Sequence, residues 1–165
     1  MEPKGGEFRL PIGVVGRVDI GRLLRELEAL DNFLLQAGAG GHKHAATLPK
    51  TSYSLEGIAG QNGLKLLAKP DRLTLKKQLE TVRASAPVVH ISFAAEPPPA
   101  FLQKIIGWFR SEIHPMLLLQ VGLQPDIAAG CIVRTPNHYF DFSLRRNLYQ
   151  KRSVLIDGLH TGATP

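Results

Sequence analysis

From Ile20 to Leu34 the large aliphatic residues fall at three- and four-residue intervals: Ile20, Leu23, Leu24, Leu27, Leu30 and Leu34, with Arg25, Glu26 and Glu28 turned away from that stripe. The period predicts an amphipathic helix over Asp19–Ala37, with Asp19 as N-cap and the glycines after it as the stop. Residues 38–50, rich in Gly and closed by Pro49, read as a linker. Ser52–Gly60 reads as a short helix broken by Asn62-Gly63. Pro70-Asp71 opens another, running to about Ser85, with Leu73, Leu75, Leu79 and Val82 inward and Lys76, Lys77 and Arg83 outward. Before these helices, Leu10–Val18 is apolar but interrupted by Pro11, Gly13 and Gly16, and reads equally as an edge strand or an extended arm.

After Pro87 the period changes. Val88–Phe93 is β-branched enough for a strand. Three prolines, 97 to 99, preset the start of a helix over Ala100–Ile113, whose apolar positions are Phe101, Leu102, Ile105, Ile106, Phe109 and Ile113. Pro115 stops it, and Met116–Val121 predicts a second strand. Gly130–Arg134 and His138–Phe142 then predict a hairpin around Thr135-Pro136-Asn137-His138, followed by a helix capped by Ser143 and carrying Leu144, Leu148, Leu155 and Leu159. The expected class is α+β. A helical N-terminal half precedes a small mixed sheet ordered strand, helix, strand, hairpin, helix. The expected divisions are an arm at 1–18, a helical region at 19–86, an α+β domain at 87–160 and a tail at 161–165.

The chain has 165 residues, 44% hydrophobic and 21% charged, which suits one ordinary domain or two small ones. Its net charge of +6 and pI near 9.7 favour an acidic partner without choosing among protein, nucleic acid and anionic lipid. A single Cys excludes an internal disulfide framework. The apolar run 116–121 is far short of the roughly 20 residues that span a bilayer. The N-terminus resembles neither a signal peptide nor a transit peptide, so a bacterial cytoplasmic protein is expected.

Candidate chemistry is sparse. His138, Asp141 and Ser143 have the residue types of a nucleophilic triad, but strand alternation sends His138 to the face opposite Asp141 and Ser143. His42 and His44 lack further ligands nearby, and the Gly-rich 38–41 stretch follows a helix where a phosphate loop follows a strand. Cys131, in an apolar strand without a paired base, reads as an inert thiol. Trp108, at the edge of an apolar stripe, serves equally as half-buried packing or as an interface anchor. Arg145, Arg146, Lys151 and Arg152 share the last helix with its leucines and read either as a solvated face or as a docking surface for an acidic helix. No catalytic set, metal site or cofactor is expected.

Taken in order, these C-terminal pieces resemble a known family. His90-Ile91-Ser92-Phe93-Ala94-Ala95 followed by a helix, Ala129-Gly130 before an apolar strand ending at Arg134, and a strand ending Asp141-Phe142-Ser143 before Leu144-Arg145-Arg146-Asn147-Leu148 are similar to the C-terminal domain of the delta subunit of F-type ATP synthases. That subunit is equivalent to the oligomycin-sensitivity-conferring protein. The likeness covers Val89 to about Leu159, a little under half the chain. Pro136-Asn137 stands where the family has Gly-Asp, and the helices before Pro87 are too few for the family's six-helix N-terminal bundle, so this half is shortened or divergent.

The resemblance implies a non-catalytic peripheral-stalk subunit that joins the α subunits of the catalytic head to the C-terminal helices of the b subunits. It implies a place at the cytoplasmic face of the plasma membrane, without insertion and without nucleic acid. Partner-binding residues are then expected on the first helix (Leu23, Leu27, Leu30), at Trp108, and at Arg145, Arg146, Lys151 and Arg152. A small basic RNA-binding α/β domain is the alternative.

Overall fold

The computed structural model describes residues 8–39 and 51–161. The elements in order are α1 (Arg17–Ala39), α2 (Tyr53–Gln61), α3 (Lys69–Ser85), β1 (Val88–Phe93), α4 (Pro99–Glu112), β2 (Leu118–Leu123), a 3-10 turn (Pro125–Ile127), β3 (Cys131–Arg134), β4 (Tyr139–Asp141), α5 (Leu144–Gln150) and α6 (Arg152–Thr161). The class is α+β, as the patterning predicts. The chain divides into two compact units: Met1–Pro87 with Leu102–Leu118, and Val88–Phe101 with Leu119–Pro165. A cut at Pro87 alone is therefore corrected, because most of α4 groups with the N-terminal helices.

In the first unit the stripe of α1 turns inward. Ile20, Leu23, Leu27 and Leu30 are all buried, as are Leu55 and Ile58 of α2 and Leu75 and Leu79 of α3. At roughly 1.5–3 kcal/mol for each fully buried aliphatic side chain, this core is the main source of the unit's stability. α1 starts two residues before the expected cap. Asp19 sits in its first turn and accepts the N–H groups of Val15 and Gly16 at 3.0 and 2.9 Å, so it ties the helix to the segment before it. Ser52 caps α2, accepting the Leu55 N–H, and its hydroxyl donates to Glu26 of α1.

α3 departs from its sequence reading at one position. Leu73 is 55% exposed, and Arg72 takes the inward place on the 72, 75, 79, 82 stripe. The reason is polar. The Arg72 guanidinium reaches Asp31 of α1 at 2.7–2.8 Å and the carbonyls of Leu66 and Leu67 at 3.0 and 2.9 Å, so a buried cation is fully occupied.

Arg110 of α4 makes a second inward clamp. Its guanidinium donates to the carbonyls of Pro11 (2.9 Å), Leu10 (3.4 Å), Val14 and Leu117 (3.1 Å). Residues 8–16 are thus an ordered, irregular arm and not a strand, held also by a two-way bond between Arg9 and Asn62. Desolvation lowers the Arg110 pKa to about 10, so it remains charged at neutral pH.

The second unit holds a four-stranded mixed sheet in the order β2-β1-β3-β4. β1–β3 and β3–β4 are antiparallel, which leaves β2 parallel to β1 across the α4 crossover. Val89, Ile91 and Phe93 alternate inward along β1. β2 lies two residues later than Met116–Val121, because the N–H groups of Met116 and Leu117 close a turn on His114. The last helix is corrected from one element to two, broken at Lys151.

Candidate partner-binding surface

Five of the motif residues, Ala129, Gly130, Asp141, Ser143 and Leu144, meet at one corner of the second unit. At the end of β4 the Asp141 carboxylate accepts the Ser143 N–H at 2.8 Å. The hydroxyl and N–H of Ser143, in that order, hold the Asp141 carboxyl below its usual range. Ser143 is buried, and its hydroxyl accepts the Arg146 N–H at 3.4 Å, which caps α5 as the sequence predicts.

The chain before β3 joins the same corner. The Ala129 carbonyl accepts the Leu144 N–H at 2.9 Å, and the Cys131 carbonyl accepts the Phe142 N–H at 3.0 Å. Between them Gly130 has φ +89, and a Cβ there would lie 2.3 Å from the Phe142 carbonyl oxygen. Only glycine fits both the dihedral and the approach. Ala129, Gly130, Asp141, Ser143 and Leu144 therefore form a brace that fixes where α5 leaves the sheet. Arg134 lies outside it, at the far end of β3, with its guanidinium 5.2 Å over the Tyr139 ring.

What leaves the brace is open surface. Every described side chain of α5 and α6 is exposed, including Leu144 at 47%, Leu148 at 46% and the basic residues Arg145, Arg146 and Arg152, and so is Lys151 between the two helices. The Leu155 side chain of the expected stripe lies outside the described residues. A shallow cleft of about 410 Å³ opens between Ala128, Arg145, Leu148, Tyr149 and Arg152. The ion pairs among the described residues, Arg72–Asp31 and Lys76–Glu28, involve none of these cations.

The expected partner residues separate sharply. Leu23, Leu27 and Leu30 are 2–3% exposed and belong to the core, so the stripe of α1 is corrected from docking face to packing face. Trp108 is 59% exposed, edge-on to buried Phe109, which makes it available as an anchor. Sequence reasoning missed the aromatic row on β4. His138, Phe140 and Phe142 line up at 5.8 and 6.2 Å, the last two rings stacked and exposed. The His-x-Phe-x-Phe alternation is the signal that marks them as one face.

Phe140 and Asp141 face opposite ways along β4, and His138 lies on the Phe140 side, its ring 5.8 Å from that of Phe140. Partial burial raises the pKa of the Cys131 thiol, which disfavours the reactive thiolate. His42 and His44 lie outside the described residues, and among the described residues no three His, Cys, Asp or Glu side chains gather as for a metal. No described helix is long and apolar enough to cross a membrane. No family model matches the chain, and no curated protein matches it.

Proposed function

We propose that this chain is a non-catalytic stator subunit of a rotary F-type ATP synthase, linking the α subunits of the catalytic head to the b subunits during proton-driven ATP synthesis. The observation that carries the reading is the brace. Five of the residues that give the resemblance, Ala129, Gly130, Asp141, Ser143 and Leu144, lie up to fifteen positions apart, yet meet at one corner and hold one another, while Arg134 and Leu148 lie outside it. That brace fixes where the exposed basic helices α5 and α6 leave the sheet. A stator joint transmits load through such a rigid corner and an open face, and needs no reacting group. With α1 committed to the core, the face offered to the b helices is α5–α6, while Trp108 lies in the other unit as an anchor for the head.

The test is a titration of the full chain with the soluble part of the b subunit from the same organism, at moderate salt. A nanomolar complex, about 12 kcal/mol of binding free energy, is expected of a joint that must hold against torque. Absence of a complex refutes the proposal.

One observation favours the RNA-binding alternative, the exposed Phe140–Phe142 stack. Unstacked bases bind exposed aromatic rows of this kind. That reading requires retention on single-stranded RNA that falls steeply with salt and is lost in Phe140→Ala/Phe142→Ala.

A further inference from the structure

We infer that the cleft between α5, α6 and Ala128 is an acid-reading site: it takes a carboxylate side chain of a partner helix together with an aliphatic residue one turn away. This rests on the stator reading for the identity of the partner, the b subunit, but not for its chemistry.

Three independent features converge there. The cleft is walled by Ala128, Leu148 and Tyr149 and flanked by the guanidinium-bearing Arg145 and Arg152. Such a site matches a ligand that is apolar in the middle and anionic at the rim. Ala128 itself sits at φ 64, ψ −51, in a turn closed by the Ala129 N–H on the Ile127 carbonyl at 2.9 Å. A non-glycine residue in that conformation is strained, and strain of this kind concentrates at ligand clamps. Ala128 lines the cleft, next in sequence to Ala129 and Gly130 of the brace.

The third feature is charge. Between Asp141 and Thr161 stand Arg145, Arg146, Lys151 and Arg152 against two acids, Asp157 and Asp141, the latter acting on Arg146 and Arg145 from the brace. Arg145 lies 5.8 Å over the Tyr149 ring, which orients its guanidinium beside the apolar wall. A guanidinium so placed binds a carboxylate in a paired, planar geometry that a lysine does not reproduce. An amphipathic helix with an Asp or Glu flanking its apolar stripe meets all three requirements at once. A polyphosphate meets only the last, because it leaves Leu148 and Tyr149 uncovered.

The experiment uses the full chain and two probes. The first is the soluble b domain, titrated calorimetrically into the wild type, into Arg145→Glu/Arg152→Glu, and into a control, Lys77→Glu/Arg83→Glu on α3. The second is a pair of synthetic amphipathic helical peptides identical except for Glu or Gln one turn from a leucine, followed through the amide shifts of residues 144–152. The site requires at least about tenfold weaker b binding for the Arg145/Arg152 pair and little change for the control. It also requires the Glu peptide to shift these amides more than the Gln peptide, an effect restored to Gln level by the Arg145→Glu/Arg152→Glu change.

If b binds wild type and the Arg145/Arg152 variant alike, the acid-reading site is overturned while the stator reading stands. If b fails to bind but the Glu peptide binds selectively, the stator reading falls and the site survives. Equal shifts from both peptides overturn the site whatever b does.

Discussion

In the first unit Arg72 and Arg110 point inward and bind backbone carbonyls, with Asp31 as the one carboxylate between them. In the second unit Arg145, Arg146 and Arg152 stand in solvent with no ion pair among the described residues. The same side chain serves as an internal tie in one place and as an exposed charge in the other. The difference follows from what surrounds each residue. Arg72 takes an inward place on a helix stripe and must satisfy its donors inside; the arginines of α5 and α6 lie on a surface that the other described residues leave exposed. A positive composition is therefore a poor guide to binding until the inward cations are subtracted.

The largest expected effect breaks the inward half of that contrast. Arg72→Ala removes a buried guanidinium and leaves Asp31 and two carbonyls without their donor, at a cost of about 3 kcal/mol. Chemical denaturation measures it, and a cost below about 1 kcal/mol would show that Arg72 behaves as a surface residue. Gly130→Ala comes next. Its methyl would meet the Phe142 carbonyl at 2.3 Å with φ at +89, so a loss of about 2–3 kcal/mol is expected. Hydrogen exchange should locate the loosening in β3, β4 and the start of α5 and leave α1–α3 protected.

Arg110→Ala follows, at about 2 kcal/mol, since four carbonyl bonds vanish but a partly exposed arm can rehydrate. Arg110→Lys sharpens the point, because the charge remains while the forked geometry is lost. Recovery of less than half the stability by Lys is the expected outcome in thermal melts.

These two clamps also mark where sequence reading stopped. Periodicity located α1, α3, β1 and the hairpin because each depends on local side-chain alternation that needs no partner. It chose Leu73 over Arg72 because hydropathy counts an arginine as outward, while the acceptors that make it inward come from Leu66, Leu67 and the distant Asp31. It joined α5 to α6 because Leu144, Leu148, Leu155 and Leu159 keep roughly one stripe, and nothing in Gln150-Lys151-Arg152 announces the break. The candidate site was half legible. Asp141, Ser143 and the basic residues stand out as types, but that Gly130 lies beneath Phe142 is a fact of the fold.

A pH experiment probes the brace more gently. The Asp141 carboxyl titrates below its usual range because it accepts from Ser143. A group with a depressed folded pKa adds stability above its unfolded value, near 4, and loses that contribution as pH falls through the folded value. The melting temperature of Asp141→Asn should therefore lie below wild type at neutral pH, with the gap closing on acidification below about pH 4. A gap that stays constant down to pH 2 would place the stabilisation elsewhere than in the ionised carboxylate.

The smallest expected effect on stability is the one that separates the two kinds of arginine most cleanly. Arg152→Ala removes an exposed cation that contacts no described carboxylate, so the melting temperature should stay within the range set by about 0.5 kcal/mol. A residue retained for packing would not pass that test, because an arginine stem covering apolar surface costs stability when it is cut back. Arg152 borders the cleft beside Leu148 and Tyr149, which are themselves 46% and 65% exposed, so its stem covers little that the chain needs covered. An unchanged melt together with weakened partner binding would mean that the cation acts only across an interface. A destabilised melt would mean that α6 is an internal prop, and the contrast between the two units would then be one of degree.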